Sequence, residues 1–170
     1  LKWLCGGTGA GFLWSNPKTA DQFWPSNVGW FSQDDPFAAM KFSYAKNALR
    51  FMGGTPSLLP PAIAGRAITL INQIGVETIS DHNNLLTNYF IQQTRDLPIQ
   101  ILSPIEEKKR GGTVTFTCKN CAELSKELSK AFTIEFRSNV GCGECFRVSP
   151  HIYNSIDDIK QLVKALTCFF

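Results

Sequence analysis

Residues 113 to 117, Thr-Val-Thr-Phe-Thr, alternate hydroxyl side chains with large apolar ones in strict period two, a pattern that suits an extended chain with one wet face and one buried face. What surrounds this segment narrows the fold further. Ile99 to Leu102 forms a second short apolar run just after Leu97-Pro98, and Ala122 to Ala131 carries Leu124 and Leu128 at helical spacing. Thr133 to Arg137 alternates again, and Phe146 to Val148 is a short apolar strand. Ser155 with Asp158 three residues on is a capping-box spacing that opens a last helix, whose buried face is Ile156, Ile159, Leu162, Val163 and Leu166. The order strand, strand, helix, strand, strand, helix predicts helices on one side of a mainly antiparallel sheet.

Two helices precede that unit. Pro60-Pro61 suits the first turn of a helix, and Ile63, Ala67, Leu70, Ile71 and Ile74 give it an apolar face until Gly75 breaks it. Ile79, Leu85, Leu86, Tyr89 and Phe90 then keep the helical period up to Leu97-Pro98. The Gly75 break marks a domain boundary, with 1–74 on one side and 75–170 on the other. Ala10 to Trp14 reads as a buried strand between glycine and Asn16-Pro17. The stretch that follows holds Phe23, Trp24-Pro25, Gly29-Trp30-Phe31 and Asp35-Pro36-Phe37, too aromatic for a passive linker, and reads as an ordered excursion that packs on a surface such as a second subunit.

With 170 residues, 44% hydrophobic and 18% charged, the chain can fill one domain or two small lobes. A net charge of +3 is too mild to argue for nucleic acid, and the basic residues are dispersed except for Lys108-Lys109-Arg110, which precedes Gly111-Gly112 and reads as a solvated hairpin turn. No run is apolar enough to span a bilayer and no signal-peptide pattern stands out, so a soluble cytoplasmic protein is expected. There is no internal repeat or low-complexity segment.

Chemistry concentrates in a few residues. Lys2 leads into Trp3-Leu4-Cys5-Gly6-Gly7-Thr8-Gly9-Ala10-Gly11, and glycines let a backbone pass close to a bulky ligand. An amine held there against a carbonyl becomes a covalent catalyst; the alternative is an exposed lysine before a flexible turn. Arg147, between Cys145-Phe146 and Val148-Ser149-Pro150, needs a partner for its guanidinium among apolar neighbours. That partner is a ligand carboxylate or a structural acid such as Glu135. Gly54-Thr55-Pro56 offers a hydroxyl and open backbone N–H groups just before a helix, which suits a phosphate oxygen. His82 on the apolar side of its helix reads as a satisfied histidine.

Four segments fall in a recognisable order: Lys2-Trp3-Leu4, then Phe51-Met52-Gly53-Gly54-Thr55-Pro56, then Gly75-Val76-Glu77 opening a helix, then Phe146-Arg147-Val148-Ser149-Pro150-His151-Ile152-Tyr153-Asn154. In that combination the chain resembles the C-terminal half of class V aminotransferase-like enzymes, the pyridoxal-phosphate group that includes cysteine desulfurases, kynureninases and isopenicillin-N-epimerase-like proteins. The resemblance implies an α/β fold, the C-terminal part of a fold-type I transferase, with 1–74 as the tail of the cofactor-binding large domain and 75–170 as a small α+β domain. It implies a Schiff base between Lys2 and pyridoxal 5'-phosphate, Arg147 as the anchor of an amino-acid substrate's α-carboxylate, and Gly54 and Thr55 as phosphate ligands reaching across a homodimer with a shared active site. Gly29-Trp30 resembles a pair found in kynureninase-like members, which makes Trp30 a candidate lining of the same site, the alternative being a core or interface residue; His151 follows Pro150 in the family's own pattern and is read as structural. An upstream half would then carry the aromatic that stacks on the cofactor ring and the acid that pairs with its pyridine nitrogen.

The cysteines supply a rival reading. Cys118-Lys119-Asn120-Cys121 and Cys142-Gly143-Glu144-Cys145 are two Cys-x-x-Cys pairs at the edge of zinc-ribbon spacing. They leave open a zinc-stabilised binding module, a vicinal redox pair, or plain thiols. The preferred expectation is no metal. Cys142 is also the one candidate, by position, for the nucleophile that a cysteine desulfurase needs.

Overall fold

The computed structural model describes residues 2–38, 40–141 and 143–170, with backbone alone at 139 and 140. It divides into two compact units, 1–73 and 74–170.

The first unit is held by one buried cation. Arg50 ends up 5% exposed inside a short 3-10 turn, Asn47–Phe51, and a guanidinium there must find acceptors for its N–H groups. It finds four. Nε donates to the Ala45 carbonyl (3.2 Å), Nη1 to the carbonyls of Asp21 (3.0 Å) and Phe23 (3.2 Å), and Nη2 to Asp21 Oδ1 (2.5 Å). Its flat faces lie 5.7 Å from the Trp24 ring and 5.8 Å from the Tyr44 ring, within cation–π range. The expected aromatic excursion is therefore folded onto itself, with an isolated antiparallel bridge joining Gln33 to Tyr44.

A helix α1, Leu59–Ile74, closes this unit, with Pro60 and Pro61 in its first turn as expected. The glycine run lies along it. A β-carbon on Gly6 would meet Ala67 Cβ at 3.4 Å, on Gly7 the Ile63 side chain at 3.3 Å, and on Gly9 Pro60 at 3.3 Å. Three of the four glycines thus have a structural use in letting the chain lie close to α1, where the sequence suggested approach to a ligand. Two further expectations are corrected. Residues 10–14 form no strand, and Phe12 and Trp14 are 73% and 80% exposed, because the unit offers no neighbouring strand to pair with among the described residues. Along α1 the buried residue is Ala64, while Ile63, Leu70 and Ile74 of the expected face stay exposed.

Gly75, at φ +94°, ends α1 in a backbone region that glycine enters without penalty, and its carbonyl accepts from Ile79 N at 3.1 Å in the first turn of α2, Val76–Gln93. The rest of the second unit follows the expected order: β1 (Ile99–Ile101), β2 (Val114–Cys118), α3 (Cys121–Leu128), β3 (Glu135–Val140), β4 (Gly143–Val148) and α4 (Ile156–Phe169). The strands form one antiparallel sheet in the order β1-β2-β4-β3. β3 and β4 are longer than the sequence suggested and make a hairpin, so most of the stretch from Ser138 to Cys145, which lies between the two expected strands, is itself strand. Ser155 and Asp158 form the capping box: Asp158 N donates to Ser155 Oγ (3.3 Å) and Ser155 N to Asp158 Oδ2 (2.7 Å). The bond from Ser155 N, with a second from Asn154 Nδ2 (3.5 Å), holds the Asp158 carboxyl below its usual range.

The core lies on one side of this sheet. Val114 and Phe116 stand opposite Val148 and Phe146, and with Leu86, Phe90, Leu124, Leu128, Ile159, Leu162 and Leu166 from the helices they form one buried cluster. The Phe116 and Phe146 rings stack at 5.1 Å, and Phe136 and Phe90 extend the aromatic row. Lys108-Lys109-Arg110 departs from the expected solvated turn at its last residue. Lys109 is exposed and paired with Glu106 (2.6 Å), whereas Arg110 turns inward, 8% exposed, and donates to the carbonyls of Pro104 (3.2 Å) and Ile105 (2.8 Å) and to Asn88 Oδ1.

The tightest packing point in the first unit is Gly29, where a β-carbon would sit 2.0 Å from the Gly53 carbonyl oxygen. Neither backbone can yield without breaking the hydrogen bond from Phe31 N to that oxygen (3.2 Å). Gly29→Ala is expected to destabilise the unit by about 3 kcal/mol, the cost of forced overpacking. Gly53→Ala, whose β-carbon meets nothing within 4 Å, should cost much less. Urea unfolding followed by tryptophan fluorescence checks the difference; equal midpoints would contradict it.

Candidate active site

In the first unit, Lys2 opens a turn: its carbonyl accepts from Cys5 N at 3.0 Å, and Cys5 sits at φ 53°, so the chain reverses before the glycines reach α1. The Lys2 side chain is exposed. Trp30 and the Gly53-Gly54-Thr55 segment, more than twenty positions apart in sequence, are brought together. Ser32 does the joining, since its Oγ accepts from Gly29 N (3.0 Å) and donates to the Met52 carbonyl (2.8 Å). The Gly29–Gly53 backbone contact lies beside it. Trp30 is half exposed, with its indole N–H on the Pro36 carbonyl and its ring against Phe37 at 5.7 Å. Gly54 and Thr55 are exposed, and Gly53 and Gly54 have open space where a side chain would begin.

In the second unit, the face of the sheet opposite the apolar core carries a polar row across three strands. Thr115, Arg147 and Glu135 are register partners on β2, β4 and β3. Arg147 Nη1 lies 3.0 Å from Glu135 Oε2, and Glu135 Oε1 pairs with Arg137. The structural acid weighed as Arg147's partner is thus the one it has here. One carboxylate shared by two guanidiniums leaves the row with net positive charge, and Arg147, 38% exposed, keeps N–H donors for a second anion. A cleft of about 400 Å³ opens beside it, lined by Phe132, Ile134, Ser149, Tyr153 and Asp158 among others. Arg137 was not singled out in the sequence. Neither was Arg50, although an arginine inside Ala48-Leu49-Arg50-Phe51 carries the same signal that drew attention to Arg147.

Both histidines have structural partners. His82 Nε2 lies 2.9 Å from the Asn154 carbonyl, and buried His151 donates its backbone N–H to Asn154 Oδ1 (2.9 Å) and stacks on Tyr153. Cys118 and Cys121 bracket the turn from β2 into α3 with their sulfurs 3.3 Å apart. Among the described residues, no three His, Cys, Asp or Glu side chains gather as a metal site. Cys142 lies outside the described residues, so neither the second Cys-x-x-Cys pair nor the desulfurase nucleophile can be placed. Cys145 is buried on β4.

The fold and these residues meet in one family. The chain belongs to the class V aminotransferases, the family of fold-type I pyridoxal-phosphate enzymes: the model for "Aminotransferase class-V" matches residues 2–162. Among curated relatives it is 29% identical over 163 residues to the uncharacterized aminotransferase YcbU of Bacillus subtilis (95% of this chain, 42% of that protein). It is 29% identical over 115 residues to a probable cysteine desulfurase of Streptomyces coelicolor (67% of this chain, 27% of that protein). The chain therefore spans less than half the length of these relatives. In fold it resembles the apo structure of a cysteine desulfurase from Thermococcus onnurineus NA1, with a TM-score of 0.78 at 21% identity, over 89% of this chain and 40% of that one. The helix-covered antiparallel sheet is that of the C-terminal part of a fold-type I enzyme. The donors fit pyridoxal phosphate in kind: a primary amine at Lys2 for an aldehyde, with open backbone at Gly53 and Gly54 and the Thr55 hydroxyl for a phosphate.

The thiol pair yields a pH prediction. Burial pushes the Cys118 thiol up to about 12, helped by its hydrogen bond to Cys121 and the charges of Cys121 and Glu144, against the backbone N–H of Asn120. Only the thiolate is alkylated, so below that pKa the reactive fraction rises about tenfold per pH unit. Iodoacetamide should modify Cys118 far more slowly than exposed Cys168 at pH 7.5, with the Cys118 rate still climbing between pH 9 and 10. A Cys118 rate that levels off by pH 9 would contradict this.

Proposed function

We propose that this chain is part of a homodimeric pyridoxal-phosphate enzyme that acts on an amino acid, with Lys2 as the amine that carries the cofactor. The observation that carries the reading is the family match from residue 2 to 162, which takes in Lys2, the Gly54-Thr55 segment and Arg147. Residues 1–74 are read as the tail of the large, cofactor-binding domain and 75–170 as the small domain.

When bound, pyridoxal phosphate supplies an electron sink for the charge left at a substrate's α-carbon. Lys2 Nζ would be the amine that holds the cofactor's aldehyde, and it would be the base that moves the proton at the substrate's α-carbon. Gly54 N–H and Thr55 Oγ1 would hold the phosphate of a neighbouring protomer's cofactor, and Trp30, fixed beside Gly53, would line that site. Arg147 grips the substrate's α-carboxylate through both arms of its fork, a geometry that an ammonium cannot reproduce. Glu135 keeps the guanidinium aligned until the carboxylate arrives.

Which bond to the α-carbon breaks is left to groups beyond these. Gly29-Trp30 tilts the sequence toward kynureninase-like or epimerase-like chemistry. Gly29, however, is required by the backbone of Gly53, so the glycine of that pair has a packing reason independent of the reaction.

The test is Arg147→Lys in the protein expressed from its complete gene and loaded with cofactor. kcat/KM for an amino acid should fall by about 2–4 kcal/mol in transition-state stabilisation, the range for losing a bidentate charged contact. The near-visible cofactor absorbance should not change. The decarboxylated amine of the same substrate should be affected far less. Equal loss for acid and amine, or no loss for either, would make Arg147 a structural partner of Glu135 and no more.

A further inference from the structure

The pair at Cys118 and Cys121 is not used by the chemistry proposed above, and its geometry is specific. The two sulfurs lie 3.3 Å apart across the end of β2 and the first residue of α3. Cys121 Sγ is held in place from several sides. It lies 3.3 Å from Cys118 N, which donates to it, 3.3 Å from the Cys118 carbonyl, and 3.6 Å from both Thr117 Oγ1 and the Glu144 carbonyl. Thr117 Oγ1 in turn donates to the Glu144 carbonyl at 2.6 Å, tying the turn to β4. Cys121 is fully buried, whereas Cys118 is half-buried and gives a small reagent a way in.

We propose that Cys118 and Cys121 form a reversible dithiol site, oxidised to an intramolecular disulfide by low-molecular-weight disulfides. The sulfurs need approach by little more than 1 Å to reach a bond of about 2.05 Å. In the first step the Cys118 thiolate attacks one sulfur of the small disulfide, forming a mixed disulfide and expelling one thiolate. In the second, the Cys121 sulfur attacks Cys118 Sγ and expels the other thiolate. The two protein protons pass to the two departing thiolates, so two protein thiols are oxidised while one small disulfide is reduced to two thiols. The held position of Cys121 favours the second step over persistence of the mixed disulfide. The bridge closes only the Cys118-Lys119-Asn120-Cys121 turn, and it is a modification site rather than a staple between distant parts of the fold.

Lys119, exposed between the two cysteines, makes the product easy to read, because trypsin cuts after it and an intact bridge then joins peptide 111–119 to peptide 120–126. The folded protein, without denaturant, is incubated overnight with oxidised glutathione at pH 9.5, because burial leaves little of the Cys118 thiol ionised at lower pH. Remaining thiols are blocked, and the protein is then digested under non-reducing conditions. The expected result is the linked pair as the main product from these cysteines, lost on treatment with dithiothreitol. Cys121→Ser should instead hold one glutathione on Cys118. Glutathione stably attached to Cys118 in the unaltered protein would overturn the proposal. So would a link from peptide 120–126 to the peptide 138–147 that contains Cys142 and Cys145, or the recovery of both thiols unreacted. The reading on the unaltered protein does not depend on the variant folding.

Discussion

The first unit is organised by the need to satisfy one buried guanidinium. Arg50 cannot be taken out of water without acceptors, and it finds them on Ala45, Asp21 and Phe23 while Trp24 and Tyr44 cover its faces. Two stretches of chain more than twenty residues apart are thereby tied to the 3-10 turn that leads into Gly53-Gly54-Thr55. The Gly29–Gly53 backbone contact and Ser32 complete the arrangement from the other side. Replacing Arg50 would leave the carbonyls of Ala45, Asp21 and Phe23 without their donor, in the turn that leads into Gly53-Gly54-Thr55.

The second unit separates packing from chemistry by the pleat of its sheet. Even-numbered positions on β2 and β4, Val114, Phe116, Phe146 and Val148, fill the core beneath the helices. Arg147 is the odd-numbered neighbour of Phe146 and Val148, and so is held on the opposite face by residues that have no polar role themselves. A shift of one residue in the register of β4 would bury the guanidinium and expose Phe146, which is why the Phe116–Phe146 stack fixes the position of Arg147. The salt bridge to Glu135, with both partners well exposed, contributes under about 1 kcal/mol to stability. Its consequence lies in orienting the fork.

Much of the second unit was legible in the sequence because its signals are local and periodic. The alternation at 113–117 and the Ser155–Asp158 spacing each depend on neighbours a few residues away, and both appear as read. The misreadings have a common cause: they concern what a segment packs against. Ala10 to Trp14 is apolar enough for a strand but has no strand to pair with among the described residues, and the glycines before it serve α1. Arg110 looked like the end of a solvated charge run because sequence shows its charge and not the carbonyls of Pro104 and Ile105 within its reach. Of the candidate site, Trp30 and Thr55 were singled out separately. Their proximity depends on Ser32 and on the Gly29–Gly53 contact, which no spacing reveals.

The proposed chemistry of the first unit depends on Lys2. In the protein expressed from its complete gene, loaded with pyridoxal phosphate, reduced with borohydride and digested with trypsin, the pyridoxyl group should be found on Lys2. That lysine should then resist cleavage, so that the labelled peptide extends to Lys18. Label on any other lysine, or a protein that takes up no label, would contradict the assignment of Lys2 as the cofactor-bearing amine.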